Sequence, residues 1–419
     1  MAGGDRVAGG DRAAGGDGGS LVVTVSGPDR PGISVRIFER LAWLGLELLD
    51  VEQVQVHGRL LLCLEVAAPA HDDDDGDDDG ATWVRESVEE ALGGLQVGPG
   101  HLQVVVTPVA GPRLASGPRQ LVTVLAPRLA AATLGGLFGR IAAAGGNVDR
   151  IVRLSRYPVT SYQLVVSGGE PGRLRRELSA EAARQSVDVA VQAAGLHRRA
   201  KHLIVLDVDS TLLQGEVIDL LAERAGCAAE VAAVTAAAMA GEVDFAEAMH
   251  RRLALLAGLD AGVLEEVAED LVLTPGARTL VRTLKRLGYV TAVVSGGFVQ
   301  VIERLAGELG IDHVAANVLE VADGRLTGRL VGAMVDRAGK AEALARFAES
   351  AGVPLSQTVA VGDGANDLDM LAAAGLGIAF NAKPAVRSAA DATLNVPYLD
   401  AILFLLGISR DEIEAADGE

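Results

Sequence analysis

The chain has 419 residues, 49% of them apolar, and a formal net charge of −19. That length predicts two or three domains, and the acidic balance argues against a nucleic-acid partner. Neither a membrane-length apolar run nor a basic-then-apolar leader follows Met1-Ala-Gly-Gly-Asp-Arg, so a cytoplasmic protein with no membrane partner is expected.

Residues 1–19 repeat Gly-Gly-Asp and predict a disordered tail. Residues 20–109 open with an apolar strand, Leu21–Ser26, then the turn Gly27–Gly32. Ile33, Ile37, Leu41 and Leu44 recur at helical spacing. Glu47–Val56 and Arg59–Val66 read as strands around a His57-Gly58 turn, Trp83–Leu92 as a helix, and Leu102–Pro108 as a strand. The Asp-rich stretch 71–80 between them reads as a solvated loop. This β-α-β-β-α-β order is ferredoxin-like. It repeats over residues 118–195: Gln120–Ala126, Thr133–Ala144, Val148–Arg156, Ser161–Ser167, Gly172–Gln185 and Val187–Gln192. Cys63 and Cys227 match no metal spacing and read as buried thiols of a reducing compartment.

Over residues 200–410 strands alternate with helices, predicting an α/β, doubly wound Rossmann-like parallel sheet. Its first strand, Leu203–Leu206, runs straight into Asp207-Val-Asp209-Ser-Thr211. Ligand crevices of open α/β sheets lie at the carboxyl ends of strands. Two carboxylates there resist joint ionisation and call for a hard divalent cation, Mg2+. Residues from about 214 to 274 lack any strand pattern and predict a helical cap over that crevice. Tyr289–Val294 ends in Ser295-Gly296-Gly297, a hydroxyl and backbone N–H groups suited to a phosphate. Asn317–Arg329 reads as a hairpin about Asp323-Gly324. Lys340, one of only four lysines, opens the helix Ala341–Ser350. Thr358–Val361 ends in Gly362-Asp363-Gly364-Ala365-Asn366-Asp367. Taken singly, Ser295, Lys340, Asp363 and Asp367 read equally well as cap, surface and turn residues. Together they set an acid pair, a hydroxyl, a lysine and an acid cluster at successive sheet edges.

These four motifs make residues 201 to about 406 resemble the haloacid dehalogenase-like phosphatases. Glu216, Met239, Phe245 and Arg252 in the cap make the chain resemble that superfamily's phosphoserine phosphatase branch. The two leading repeats resemble tandem ACT domains, the first with their Asp29-Arg30-Pro31-Gly32 turn. The resemblance implies hydrolysis of O-phospho-L-serine, with Asp207 as nucleophile and Asp209 as general acid and base. It implies Mg2+ held by Asp207, the Asp209 carbonyl and Asp363. Ser295, Gly296 and Lys340 would hold the phosphoryl group, with Asn366 beside it and Asp367 orienting Lys340 or a metal-bound water. Glu216 would take the substrate ammonium and Arg252 its carboxylate, Arg251 being the rival; Met239 and Phe245 would exclude water. For the ACT pair it implies either serine sensing at Asp29–Gly32 or dimerisation, with a homodimer expected. The alternatives are a phosphatase acting on another small phosphomonoester, and an amino-acid sensor with an inactive phosphatase domain.

Overall fold

A computed structural model describes residues 20–67, 79–97, 100–109, 118–195, 198, 200–240 and 242–418. The Gly/Asp-rich tail and residues 71–78 of the Asp-rich stretch lie outside the described residues. The chain divides into two compact units, Met1–Leu114 and Ala115–Glu419.

In the first unit, β1 (Ser20–Pro28), α1 (Ile33–Ala42), β2 (Leu48–Val56), β3 (Arg59–Ala67) and α2 (Asp79–Gly93) are followed by a small ribbon of β4 (Gln96–Val97) and β5 (Gly100–His101), then β6 (Gln103–Pro108). The sheet order is β2-β3-β1-β6. Leu21, Val23 and Val25 alternate with exposed or half-buried neighbours along β1, and Leu60, Leu62 and Leu64 do so along β3. That period-2 pattern gives the sheet one buried face, packed on Ile33, Ile37 and Leu41 of α1 and Val84, Val88 and Leu92 of α2. His57 (φ 48°) and Gly58 (φ 74°) make the tight turn between β2 and β3.

The second unit begins with the repeated order: β7 (Gln120–Ala126), α3 (Ala131–Ala143), β8 (Gly146–Ser155), β9 (Thr160–Gly168), α4 (Pro171–Gln185) and β10 (Asp188–Ala193). Val122, Val124, Leu164 and Val166 face the two helices. The other face of the sheet sends Leu125 and Ala190 into the large core that follows.

That core is built on β11 (Leu203–Asp207). Leu203 and Val205 point into one hydrophobic layer, Ile204 and Leu206 into another. This double burial is what a continuous apolar run demands. The cap follows as α5 (Val217–Ala225), α6 (Ala228–Met239), α7 (Phe245–Leu255) and α8 (Val263–Asp270). Its two connections pair as a ribbon, with Gln214 N–H donating to Val272 O at 2.8 Å and Thr274 N–H to Leu212 O at 2.9 Å. The alternation resumes with α9 (Ala277–Arg286), β12 (Val290–Phe298), α10 (Val299–Leu309), β13 (His313–Ala322), β14 (Arg325–Val331), α11 (Arg337–Ser350), β15 (Thr358–Gly362), α12 (Leu368–Ala373), β16 (Gly377–Phe380), α13 (Pro384–Ala389), β17 (Ala392–Leu394), α14 (Ile402–Leu405) and α15 (Arg410–Asp417).

Strands β13, β12, β11, β15, β16 and β17 pair in parallel in that order. β14 joins β13 as an antiparallel hairpin. At the far edge β10 pairs antiparallel with β17 through Ala190 and Ala392, so the second repeat and the parallel sheet form one sheet of eleven strands. Buried Asp188 reinforces this seam, accepting from Asn395 N–H at 2.7 Å, Asn395 Nδ2 at 2.6 Å and Val396 N–H at 3.2 Å. α11 starts a turn earlier than its apolar spacing suggests, because Asp336 caps it by accepting from Gly339 N–H at 2.8 Å. Lys340 therefore sits one turn inside the helix rather than at its opening.

Candidate active site

β11 delivers Asp207 to the sheet's carboxyl edge, where Val208–Leu212 form a tight turn with Ser210 in a left-handed conformation (φ 58°). Asp207 is buried; its Oδ1 accepts from Val208 N–H at 2.7 Å and lies 2.7 Å from Lys340 Nζ. Lys340 is only 1% exposed, and its Nζ also donates to Asp367 Oδ1 at 2.7 Å. Burial opposes its charge, but the two carboxylates outweigh burial and hold it above the usual lysine range. Burial pushes the Asp207 carboxyl well up, against the pull of Lys340.

Both oxygens of Asp209 are held. Oδ1 accepts from Val217 N–H at 2.8 Å, where the cap begins, and Oδ2 accepts from Ser295 Oγ at 2.8 Å. Ser295 Oγ in turn accepts from Gly297 N–H at 2.6 Å. A Cβ on Gly297 would stand 2.9 Å from Ser295 Oγ and 3.0 Å from Asp209 Oδ2, so this close approach requires glycine. Asp363, just past β15, has its Oδ1 3.3 Å from Thr211 Oγ1. Asp367 Oδ2 accepts from Gly364 N–H at 2.9 Å. Among the described residues, Asp207, Asp363 and Asp367 bring carboxylate oxygens within 4.8 Å of one another. Burial first, then the charge of Asp367, pushes Asp363 up to about 6. Asp367 already answers Lys340. Asp207 and Asp363 are then an all-oxygen pair, held up in pKa by burial, and such a donor set fits a hard divalent cation.

Core and cap enclose a cavity of about 520 Å3. Asp207, Asp209, Gly296, Asp363 and Asn366 line it from the core, and Glu216, Phe245 and Arg252 line it from the cap. Arg252 Nε is buried with no hydrogen-bond partner among the described residues. Burial lowers the arginine's pKa, opposed first by the charge of Glu216. Glu216 is pushed up to about 7, chiefly by burial, then by Asp209, Asp363 and Asp219, with Arg252 acting the other way. Arg251 points away, its Nε 2.7 Å from Glu247 Oε1 on the exposed side of α7. Phe245 leans over the Ser-Gly-Gly loop, with Cζ 3.7 Å from where a Gly296 Cβ would stand. Ser295 and Lys340 do not line the cavity; both lie behind its wall, bonded to the carboxylates that do. Met239 ends α6, and its side chain lies outside the described residues.

Three residues here escaped the sequence reading. Asp219 lines the cavity one helical turn after Glu216, a spacing that could have pointed to it. Lys383 lines it from the start of α13, with no motif around it. Asn317, buried in β13, donates from Nδ2 to Gly296 O at 2.8 Å and accepts at Oδ1 from Val335 N–H at 2.8 Å. In the first unit, the Asp29–Gly32 turn leads into α1, with Asp29 N–H donating to Gly58 O at 2.8 Å and Gly32 at φ 87°.

Residues 204–372 match the haloacid dehalogenase-like hydrolases, and residues 20–79 and 119–192 each match an ACT domain. A phosphoserine phosphatase of Streptomyces coelicolor is 54% identical over 399 residues, spanning 95% of this chain and 94% of its own. One of Mycobacterium tuberculosis is 53% identical over 95% of both chains. The chain belongs to the phosphoserine phosphatase family. A probable phosphoserine phosphatase of Vibrio cholerae, solved unliganded, superposes with a TM-score of 0.55 at 31% identity, covering 71% of this chain and 89% of that one. In this chain the acid pair stands at the end of the first strand of the parallel sheet, and the two ACT matches precede that strand in sequence. No helix among the described residues is long and apolar enough to cross a membrane.

Proposed function

We propose that this protein hydrolyses O-phospho-L-serine to L-serine and phosphate, the last step of serine biosynthesis, in the cytoplasm. One observation carries the substrate choice. A half-buried guanidinium, Arg252, whose Nε is buried with no hydrogen-bond partner among the described residues, shares a cavity with Glu216 and with the Asp207 edge. A phosphorylated amino acid presents a carboxylate, an ammonium and a phosphoryl group, and these three features answer them.

Asp207 attacks phosphorus through a carboxylate oxygen; the new O–P bond forms as the P–O bond to the seryl oxygen breaks, leaving an aspartyl-phosphate. Asp209 gives its proton to the departing seryl oxygen and then takes one from the water that hydrolyses the acyl phosphate. The Asp207 and Asp363 carboxylates and the Asp209 carbonyl would hold Mg2+, which when bound supplies the positive charge that lets an anionic nucleophile meet an anionic substrate. The Gly296 amide holds the phosphoryl oxygens with Asn366 beside it, while Ser295 and Lys340, behind the cavity wall, set the Asp209 and Asp207 carboxylates. Asp367 orients Lys340, a role their 2.7 Å contact supports. Phe245 and Met239 exclude water from the closed site. The ACT pair binds free serine at Asp29–Gly32 as a regulator and supports a homodimer.

The test is release of phosphate and serine from O-phospho-L-serine, with and without Mg2+ and with free serine added. Magnesium-dependent turnover lost on chelation is expected; no turnover by pure, metal-loaded protein refutes the reading.

A further inference from the structure

The peptide between Gly296 and Gly297 joins the two residue types most free to rotate, so on its own it is the backbone unit of the site most liable to flip. Here it is locked on both sides. Its carbonyl accepts from Asn317 Nδ2 at 2.8 Å, and its N–H donates to Ser295 Oγ at 2.6 Å. Asn317 is 1% exposed, and its Oδ1 is taken by Val335 N–H at 2.8 Å, which fixes which end of the amide faces Gly296. Gly296 lines the cavity. With that carbonyl drawn back to Asn317, its negative oxygen is kept away from an anion held at the N–H of Gly296, which belongs to the preceding peptide. A flipped peptide would present a carbonyl oxygen instead, where negative charge is repelled.

Asn317 also stands where β13 leaves the parallel sheet. It is the last residue of β13 paired with β12, through Phe298, and beyond it the strand pairs only with β14. The hairpin so formed grips the cap. Gly258 N–H donates to Leu326 O at 2.8 Å, Leu326 N–H to Leu259 O at 2.9 Å, and Ala261 N–H to Gly324 O at 2.9 Å.

We propose that Asn317 is a positioning residue for the phosphoryl group: its side-chain amide holds the Gly296–Gly297 peptide in the orientation that keeps the Gly296 carbonyl oxygen turned away from the anion, which leaves the anion to the Gly296 N–H of the preceding peptide. It does so from the base of the hairpin that grips the cap. The inference rests on the phosphatase reading only for where the phosphoryl group sits.

The test compares Asn317→Ala and Asn317→Asp in the full-length, Mg2+-loaded protein. Asp is isosteric and keeps the acceptor for Val335 but has no donor for Gly296, so it carries the test should the Ala variant fold poorly. Binding of inorganic phosphate and of L-serine is measured by calorimetry beside kcat and KM for phosphoserine and an aryl phosphate. Losing an oriented donor to an oxyanion costs roughly 10²–10³-fold in rate. Both variants should therefore lose kcat on both substrates by at least about tenfold and weaken phosphate binding to a similar degree, with serine affinity within about twofold. Phosphate affinity retained in Asn317→Asp, or parallel losses for phosphate and serine, would overturn the proposal. A wild-type protein that binds phosphate and cleaves the aryl ester but not phosphoserine would sink the substrate reading alone, because the phosphate comparison still decides the role of Asn317.

Discussion

Lys340 is the residue on which the charge balance of the site turns. Buried between Asp207 and Asp367, it answers both carboxylates at 2.7 Å. Replacing Asp207 by Asn removes the proposed nucleophile while keeping its shape and an acceptor for Lys340. Phosphoserine turnover should fall by at least about 10⁴-fold, as for other single nucleophile losses, with the melting temperature nearly unchanged; appreciable residual turnover would displace Asp207 from its role. The neighbouring arginines give an internal control. Arg252→Ala should cut kcat/KM for phosphoserine about 100-fold or more, and for an aryl phosphate by only a few-fold, because only the amino acid offers a carboxylate. Arg251→Ala breaks an exposed i,i+4 pair worth a few tenths of a kcal/mol and should leave both rates alone. Asp207 and Asp209 were legible in the sequence because they stand two apart at the end of an apolar run, and Arg252 through the cap's resemblance, where its spacing from Phe245 favours it over Arg251. Asn317 was not, since its partners Gly296 and Val335 are both about twenty residues away and no short pattern encodes such a pairing.

At the level of elements, the seam between β10 and β17 decides how the second ACT repeat is attached. Only Ala190 and Ala392 pair directly, so the seam leans on Asp188, whose carboxylate takes three donors from Asn395 and Val396. Asp188→Ala leaves the buried Val396 N–H and the part-buried Asn395 N–H without their acceptor and should cost about 1–3 kcal/mol in urea unfolding. A change below about 0.5 kcal/mol would mean that packing, not this cluster, holds the seam. The strand β17 that forms it went unread because three residues, Ala392–Leu394, carry too little pattern to separate from loop.

For the whole molecule the acid cluster predicts how stability follows pH. Glu216 is raised from 4.5 to about 7 and Asp363 from 3.8 to about 6. A carboxyl whose folded pKa is raised stabilises fully below its unfolded value and loses that contribution as pH rises through the folded value. The metal-free protein should therefore lose melting temperature between about pH 4 and pH 7 on account of these two groups. Magnesium, held at Asp363 only where that carboxylate is ionised, should restore the Asp363 share of the loss. Thermal scans with chelator and with Mg2+ should be close at pH 5 and well apart at pH 7.5; a gap independent of pH would show that Asp363 does not hold the ion.

Local pattern alone determined the ferredoxin-like repeats, the buried strand before Asp207 and the helical cap. Each is set by the periodicity of side chains along a few turns or one strand, and that periodicity is written in neighbouring residues. Tertiary structure alone decided that the second repeat shares one sheet with the parallel strands and that Asn317 braces the Gly296–Gly297 loop. Those outcomes depend on which distant surfaces meet, and on burial leaving a polar group one partner rather than another.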